Sequence, residues 1–433
     1  MRLTRLFVSL LAAGLMGSAA AQTLTPEEER IVASVKANSG KALELLEKSV
    51  NINSGTMNHA GVREVGQLFR AEFDKLGFKT QWIDMPREMQ RAGHLVATRE
   101  GKQGKRVLLI GHLDTVFEAD SPMQKWERVG DRARGQGVND MKGGDVIIIE
   151  ALRALHASGA LENTSISVIF TGDEENAGEP KEISRRDMVE MAKRSDVALA
   201  YEATMLDAQG KATGTIGRRS STSWLLDVKG MQGHSSGIFS NNAGYGAVYE
   251  AARILDAFRQ QLQEPNLTFN PGVIVGGTEI GYDDTTAKGS AFGKTNVIAN
   301  ATRVTGDLRF LTPEQGEQAR ARMRAIVAQS LPGTSAAIKF HDGYPPMAPT
   351  PGNLKVLELY SQASADAGLG PIAALAPGLR GAGDIQFAAP YVDSLDGLGA
   401  IGRGSHAPGE DLDIRSIEQG AIRTAILLHR LTR

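Results

Sequence analysis

The 433-residue chain contains no cysteine. That excludes disulfides, thiol nucleophiles and thiolate metal sites, so any metal has to be held by histidine and carboxylate side chains. An excess of charge of one sign is missing too. Lys and Arg number 48 against 50 Asp and Glu, a formal charge of −2, and no long basic run occurs. A nucleic-acid partner is not expected of such a chain. The apolar run Leu6 to Met16 falls short of the roughly 20 residues that span a bilayer. Preceded by Arg2 and Arg5 and followed by Ala19-Ala20-Ala21, it has the form of a secretory signal peptide cut after Ala21. No cysteine stands at the cut for lipid attachment, so the expectation is a periplasmic or secreted protein without a membrane anchor. Its charge would be −4, 46 basic residues against 50 acidic, once Arg2 and Arg5 are gone.

What is present is an ordinary globular composition, 41% hydrophobic and 23% charged, with length enough for two domains. Thr25-Pro26-Glu27-Glu28-Glu29 is a helix start, with an N-cap, proline at the first position and acids in the first turn. The pattern predicts a helix to about Val50, another over Val62 to Leu76, and strands at Lys79 to Asp84 and His94 to Thr98. A buried central strand follows at Arg106 to Gly111, then a helix from Gly144 to Ser158 and a strand from Ile166 to Thr171. This is α/β patterning. From about Thr215 to Gly343 it changes to strand Trp224 to Lys229, helix Ala243 to Gln261, strands Leu267 to Val275 and Val297 to Leu311, helix Pro313 to Gln329, and strand Ala336 to Phe340. That β-α-β-β-α-β order predicts an α+β insert, after which the α/β pattern resumes. The expected organisation is a signal peptide over 1–21, a first domain in two parts, 22–214 and 344–433, and a second domain over 215–343.

Five polar motifs punctuate this pattern. Gly111-His112-Leu113-Asp114-Thr115 lies past the end of the central strand, where open α/β sheets place their ligands. Residues two apart on an extended segment share a side, so Asp114 can accept from one ring nitrogen of His112 and leave the other for a metal. Alone, such a pair more often marks a structural, hydrogen-bonded histidine. Asp140, in Gly137-Val-Asn-Asp140-Met-Lys-Gly-Gly144, taken by itself reads first as a helix cap. Glu174 and Glu175 follow the strand ending at Thr171, and Glu202 follows the hydrophobic run before Tyr201. His406 stands in the late loop Gly402-Arg-Gly-Ser-His406-Ala-Pro-Gly-Glu410. Taken jointly, these strand-to-loop exits point to a metal centre. Two histidines and three carboxylates suit a pair of zinc ions, with one His and one Glu on each and a shared Asp between them. A base that is not itself a ligand is also required, and the Glu174-Glu175 pair can supply one of each.

GHLDT, GVNDMKGG, TGDEENAG, YEAT and GSHAPGE, in this order and at these separations, resemble the dinuclear zinc peptidase family of glutamate carboxypeptidase, aminoacylase, acetylornithine deacetylase and succinyl-diaminopimelate desuccinylase. The likeness spans the mature chain and is strongest to the bacterial glutamate carboxypeptidases. It implies a catalytic domain with a mixed sheet flanked by helices, interrupted by a lid that also forms a homodimer interface. It implies His112 and Glu202 on one metal, Glu175 and His406 on the other, and Asp140 between two zinc ions, with cobalt as the alternative metal. Asp114 would orient His112, Glu174 would be the general base, and the Asp140–Met141 peptide would be cis. His234, in Gly230-Met-Gln-Gly-His234, would reach the partner's active site and stabilise the oxyanion. Arg309 would bind the substrate's terminal carboxylate, with Asn296 assisting. The implied activity is hydrolysis of a small peptide or N-acyl amino acid at the amide bond next to a C-terminal carboxylate. N-acyl amino acid deacylation and dipeptide hydrolysis are the alternatives.

The sequence departs from the family pattern at Ser235-Ser236, where Ala-Gly is common, at Ala299 in place of a proline, at Gly383 in place of Ser or Thr, and in the long stretch Thr278 to Lys294. Asp384, in Gly381-Ala-Gly-Asp384, reads as structural. Two other function classes use the same residues differently. GHSSG fits the G-x-S-x-G pattern, and with Asp384 and His406 downstream Ser235 could be a serine nucleophile. A periplasmic binding protein would use a two-domain cleft without catalysis, and would have no use for a nonligand carboxylate beside Glu175.

Overall fold

The computed structural model describes residues 24–122, 125–283 and 286–433. The signal-peptide reading of 1–21 lies outside these residues. Among them, no helix is long and apolar enough to cross a membrane.

The central sheet is mixed and six-stranded, in the order 79–83, 94–99, 164–171, 103–112, 197–200, 393–395. The first two strands run antiparallel to their neighbours and the remaining four are mutually parallel. The run Val107-Leu-Leu-Ile110 is apolar throughout because both faces of its strand are covered. Val107 and Leu109 point into a core shared with the helices Pro26–Val50, His59–Lys75, Gly143–Ala157 and Arg415–Leu431. Leu108 and Ile110 point the other way, toward Met188, Ala192 and Ile385. Burying each of these aliphatic side chains contributes about 1.5–3 kcal/mol. The first helix starts where its cap residues predict: the Thr25 hydroxyl accepts the Glu28 N–H at 3.2 Å, and the Glu28 carboxylate accepts the Thr25 N–H at 2.8 Å.

Residues 221–344 build a second, antiparallel sheet in the order 268–277, 301–309, 221–230, 334–344. The helices Gly246–Gln261 and Pro313–Val327 cover one face, where Trp224, Leu226 and Val228 meet Ile254, Phe258 and Met323. The order is the β-α-β-β-α-β expected from the sequence, with one addition. Within the stretch Thr278 to Lys294, the strand Glu279–Asp283 pairs antiparallel with Lys288–Phe292. The strand expected from Val297 starts only at Ala301, because Val297 instead bridges His234. The chain enters and leaves this sheet through two paired segments: Arg218 and Met347 exchange both backbone hydrogen bonds at 2.9 Å.

A small four-stranded sheet of 402–403, 411–413, 132–134 and 127–129 was not foreseen. Its strands are two or three residues long and carry too few apolar positions to show a period. It matters because the loop bearing His406 hangs between its strands Gly402–Arg403 and Asp411–Asp413.

Candidate metal centre

The parallel strands Gln103–His112, Thr164–Thr171 and Val197–Ala200 end side by side. Their common orientation brings His112, the Asp173–Glu175 loop and Glu202 to one edge of the sheet. Asp140 arrives from the turn before the helix Gly143–Ala157. It does not cap that helix: it sits at φ −124°, ψ 92°, follows Gly137 at φ +64°, and forms a cis peptide with Met141. A Cβ on Gly144 would lie 2.1 Å from the Tyr201 carbonyl oxygen. Glycine therefore lets the helix start press against the strand exit that carries Glu202.

Oδ1 of Asp140 lies 3.4 Å from His112 Nε2, and Oδ2 lies 3.2 Å from His406 Nε2. His112 Nε2 is 3.6 Å from Glu202, and His406 Nε2 is 3.0 Å from Glu175. Two groups of ligand atoms result, His112-Asp140-Glu202 and Asp140-Glu175-His406, each within 4.8 Å and sharing Asp140. His112 Nε2 and Glu175 Oε1 are buried with no hydrogen-bond partner, and the donors are all N or O. Unsatisfied buried donors in that arrangement fit metal ions.

The electrostatics point the same way. Five carboxylates, Asp114, Asp140, Glu174, Glu175 and Glu202, crowd two histidines. Burial, then the charge of Glu202, pushes Glu174 well above the ordinary carboxylate range. Burial, then Asp140, raises Glu202 to about 7. Burial acts upward on Asp140 as well, but the close approach of His112 and His406 outweighs it and holds its carboxyl below the usual value. His406 is driven up to about 11 by its bonds to Asp140 and Glu175. A cavity with this surplus of negative charge favours cations.

Asp114 works differently from the sequence reading. His112 Nδ1 pairs with the Asp114 backbone carbonyl at 3.0 Å, and the carboxylate lies further off at 3.6 Å. The Asp114 carboxylate instead accepts the N–H groups of Glu174 at 3.0 Å and Glu175 at 3.1 Å, and the Thr56 hydroxyl at 2.6 Å.

The supporting groups that sequence reasoning missed are buried and scattered along the chain. Glu410 accepts the N–H of Asn139 at 2.6 Å and of Asp140 at 2.9 Å, tying the His406 loop to the Asp140 turn. Arg185 donates to Asp173 at 2.6 Å and to Asp384 at 2.7 Å, and Tyr344 donates to the Glu174 carbonyl at 3.0 Å. Glu410 stands inside a quoted motif and could have been marked; Arg185 and Tyr344 carry no local signal.

The serine-nucleophile arrangement is absent. Asp384 is engaged by Thr171 and Arg185, and His406 by Asp140 and Glu175. Ser235 lies beyond the far end of the strand Ser221–Gly230, where its N–H donates to the Asn296 carbonyl at 2.9 Å.

His234 and Asn296 therefore sit together, and Arg309 does not join them. Arg309 ends the strand Ala301–Arg309 at the hinge side, paired with Asp307 at 2.9 Å, whereas Asn296 precedes that strand at its other end. Nine residues of strand separate the two ends by about 30 Å. Within one chain Asn296 does not assist Arg309. His234 Nδ1 faces the Ser236 hydroxyl at 2.8 Å and accepts the Ser236 N–H at 3.2 Å.

The family model for peptidase family M20/M25/M40 matches residues 108–429, which include all five candidate ligands, Asp114 and Glu174. The chain belongs to that family. Carboxypeptidase G2 of Pseudomonas sp. (strain RS-16) is 26% identical over 400 residues, 89% of this chain and 88% of the relative. Succinyl-diaminopimelate desuccinylase of Delftia acidovorans is 26% identical over 329 residues, 72% of this chain and 79% of the relative. Among solved structures, aminopeptidase PepT from Bacillus cereus superposes with a TM-score of 0.72 at 17% identity, covering 92% of this chain and 99% of that one. A Bacillus subtilis protein described as a dinuclear metal binding peptidase of the M20 family superposes with a TM-score of 0.63 at 16% identity, covering 92% and 99%. Membership makes this M20 protein a hydrolase of peptide or N-acyl amino acid bonds.

Proposed function

We propose that this M20 protein is an exported, homodimeric dinuclear zinc hydrolase that cuts the amide bond next to a C-terminal carboxylate. The observation that carries the reading is Asp140, whose two oxygens face two histidines, each with its own glutamate, while Glu174 belongs to neither group of ligand atoms. The residues that would hold the ions are His112 and Glu202 for one, Glu175 and His406 for the other, and Asp140 for both. Bound ions of this kind supply Lewis acidity and a water acidified for attack.

Glu174 takes the proton of the attacking water at its carboxylate and returns it to the departing amine nitrogen. Burial and Glu202 already give its carboxyl the raised proton affinity that this shuttle needs. Asp114 fixes the backbone of Glu174 and Glu175. His234 donates through Nε2 to the oxygen that becomes negative, and Arg309 grips the terminal carboxylate with its fork. His234 and Asn296 lie at the ends of the strands Ser221–Gly230 and Ala301–Arg309 opposite the Arg218 and Met347 connections to the sheet that carries their own chain's proposed ligands. This supports a site completed by a second copy, with 215–343 as lid and interface. The apolar leader at 6–16 supports export.

The reading is tested with purified protein depleted of metal by a chelator. Hydrolysis of N-acyl amino acids should vanish and return with two equivalents of zinc or cobalt. Activity that survives depletion, or a stoichiometry of one, would overturn it. A panel of N-acyl amino acids and unblocked dipeptides separates carboxypeptidase, deacylase and dipeptidase behaviour.

A further inference from the structure

Tyr344 ends the last strand of the inserted sheet, and a bulge decides where it points. Along that strand Ala336, Ile338 and Phe340 pack toward the helices Gly246–Gln261 and Pro313–Val327, so plain alternation would send residue 344 the same way. The register shifts between Asp342, opposite Thr222, and Tyr344, opposite Ser221. Residues directly opposite share a face, and the extra residue turns Tyr344 to the face away from those helices. Gly343 permits this, because a Cβ there would lie 2.3 Å from the Ser221 carbonyl oxygen. The ring lands on Phe387, centroids 5.0 Å apart, and the hydroxyl reaches the Glu174 carbonyl at 3.0 Å.

What the hydroxyl donates to is fixed by Arg185. That side chain is 1% exposed, donates from Nη2 to the Tyr344 oxygen at 3.2 Å, and is held in place by Asp173 and Asp384. A guanidinium only donates, so the Tyr344 oxygen accepts from Arg185 and its single hydrogen goes to the Glu174 carbonyl. Tyr344 lines the same cavity of about 610 Å³ as Glu174 and Glu175. With both bonds made inside the protein, its hydroxyl acts through Glu174 and not on a bound molecule. Glu174 is thus held on both sides of its Cα. Asp114, just past the central strand, accepts its N–H, and Tyr344, at the end of the inserted sheet, donates to its carbonyl. We propose that Tyr344 is a positioning residue that ties the base Glu174 to the inserted sheet, so that where the insert sits sets where the carboxylate stands. The inference rests on the hydrolase reading above, and adds to it a residue that acts through the base.

Tyr344→Phe keeps the ring on Phe387 and removes only the hydroxyl. On the N-acyl amino acid that wild type cleaves fastest, it should lower kcat by about 10- to 100-fold and leave KM within about twofold, with two zinc ions still bound. Amide hydrogen exchange, read by mass spectrometry on the protein as purified, should quicken by about fivefold or more at residues 172–178 and stay unchanged in the strand Thr164–Thr171. The melting temperature reports the fold. An unchanged kcat would overturn the proposal. So would a loss carried by KM, which would make Tyr344 a substrate contact, or a loss of zinc, which would make it a support for Glu175. Unchanged exchange at 172–178 would overturn it as well. If wild type cleaves no member of the panel the hydrolase reading fails, and exchange at 172–178 then still decides whether Tyr344 fixes Glu174.

Discussion

Asp114 holds Glu174 by its backbone, with Oδ1 accepting the Glu174 N–H at 3.0 Å. The same carboxylate accepts the Glu175 N–H and the Thr56 hydroxyl, so one side chain sets both the proposed base and a proposed ligand. Asp114→Ala should therefore lower kcat by about 10- to 100-fold and weaken metal binding together, the range typical of groups that orient ligands. Steady-state kinetics and a metal titration check both. A fall in kcat with unchanged metal affinity would confine the role of Asp114 to Glu174.

Glu174→Gln keeps the shape of the side chain and removes its basicity. Turnover should fall by about 10²- to 10⁴-fold while two metal ions remain bound, as counted by elemental analysis. Residual activity near that of wild type would move the base elsewhere.

The separation of His234 from the metal ligands of its own chain predicts complementation. Glu174→Gln and His234→Ala are each expected to be inactive as homodimers. Mixed under conditions of subunit exchange, they should recover about one quarter of wild-type activity, because half of the dimers carry one complete site of two. No recovery, with exchange shown by mass spectrometry, would put His234 in its own chain's site or outside the chemistry.

Glu150, in the helix Gly143–Ala157, shows how burial sets a pH limit on stability. Its Oε1 has no partner, and burial, against the pull of Arg153, raises its carboxyl to about 7. A raised carboxyl favours the folded state below the unfolded value of 4.5, and that advantage is lost as pH rises toward 7. Glu150→Gln should thus gain stability relative to wild type by on the order of 2 kcal/mol between pH 4.5 and pH 8. Paired denaturant melts at the two pH values measure the difference, and a constant offset would contradict it.

The periodic parts of the fold were legible in the sequence because they are amphipathic or doubly buried. Val107 to Ile110 announces a central strand by its unbroken hydrophobicity, and the first helix by its Thr25 cap. The proposed ligands were legible because each stands in a short polar motif, with His112, Glu175 and Glu202 just past hydrophobic strands. What stayed hidden depends on contacts distant in sequence. Arg185 meets Asp384 across 199 residues, and Tyr344 meets the Glu174 carbonyl across 170. The spacing of Asn296 and Arg309, thirteen residues, reads as proximity on a line of text but as opposite ends of a strand in space. For the same reason the bond between His112 and Asp114 runs through a carbonyl, which no side-chain pattern reveals.

Arg218 and Met347 stand on the two connections to the inserted sheet and bond to each other through both backbone groups. An excursion of more than a hundred residues thus begins and ends at adjacent points, so a turn of a few residues would close the gap left by its removal. Closing the chain at this seam would leave the order of the strands that carry the carboxylates untouched.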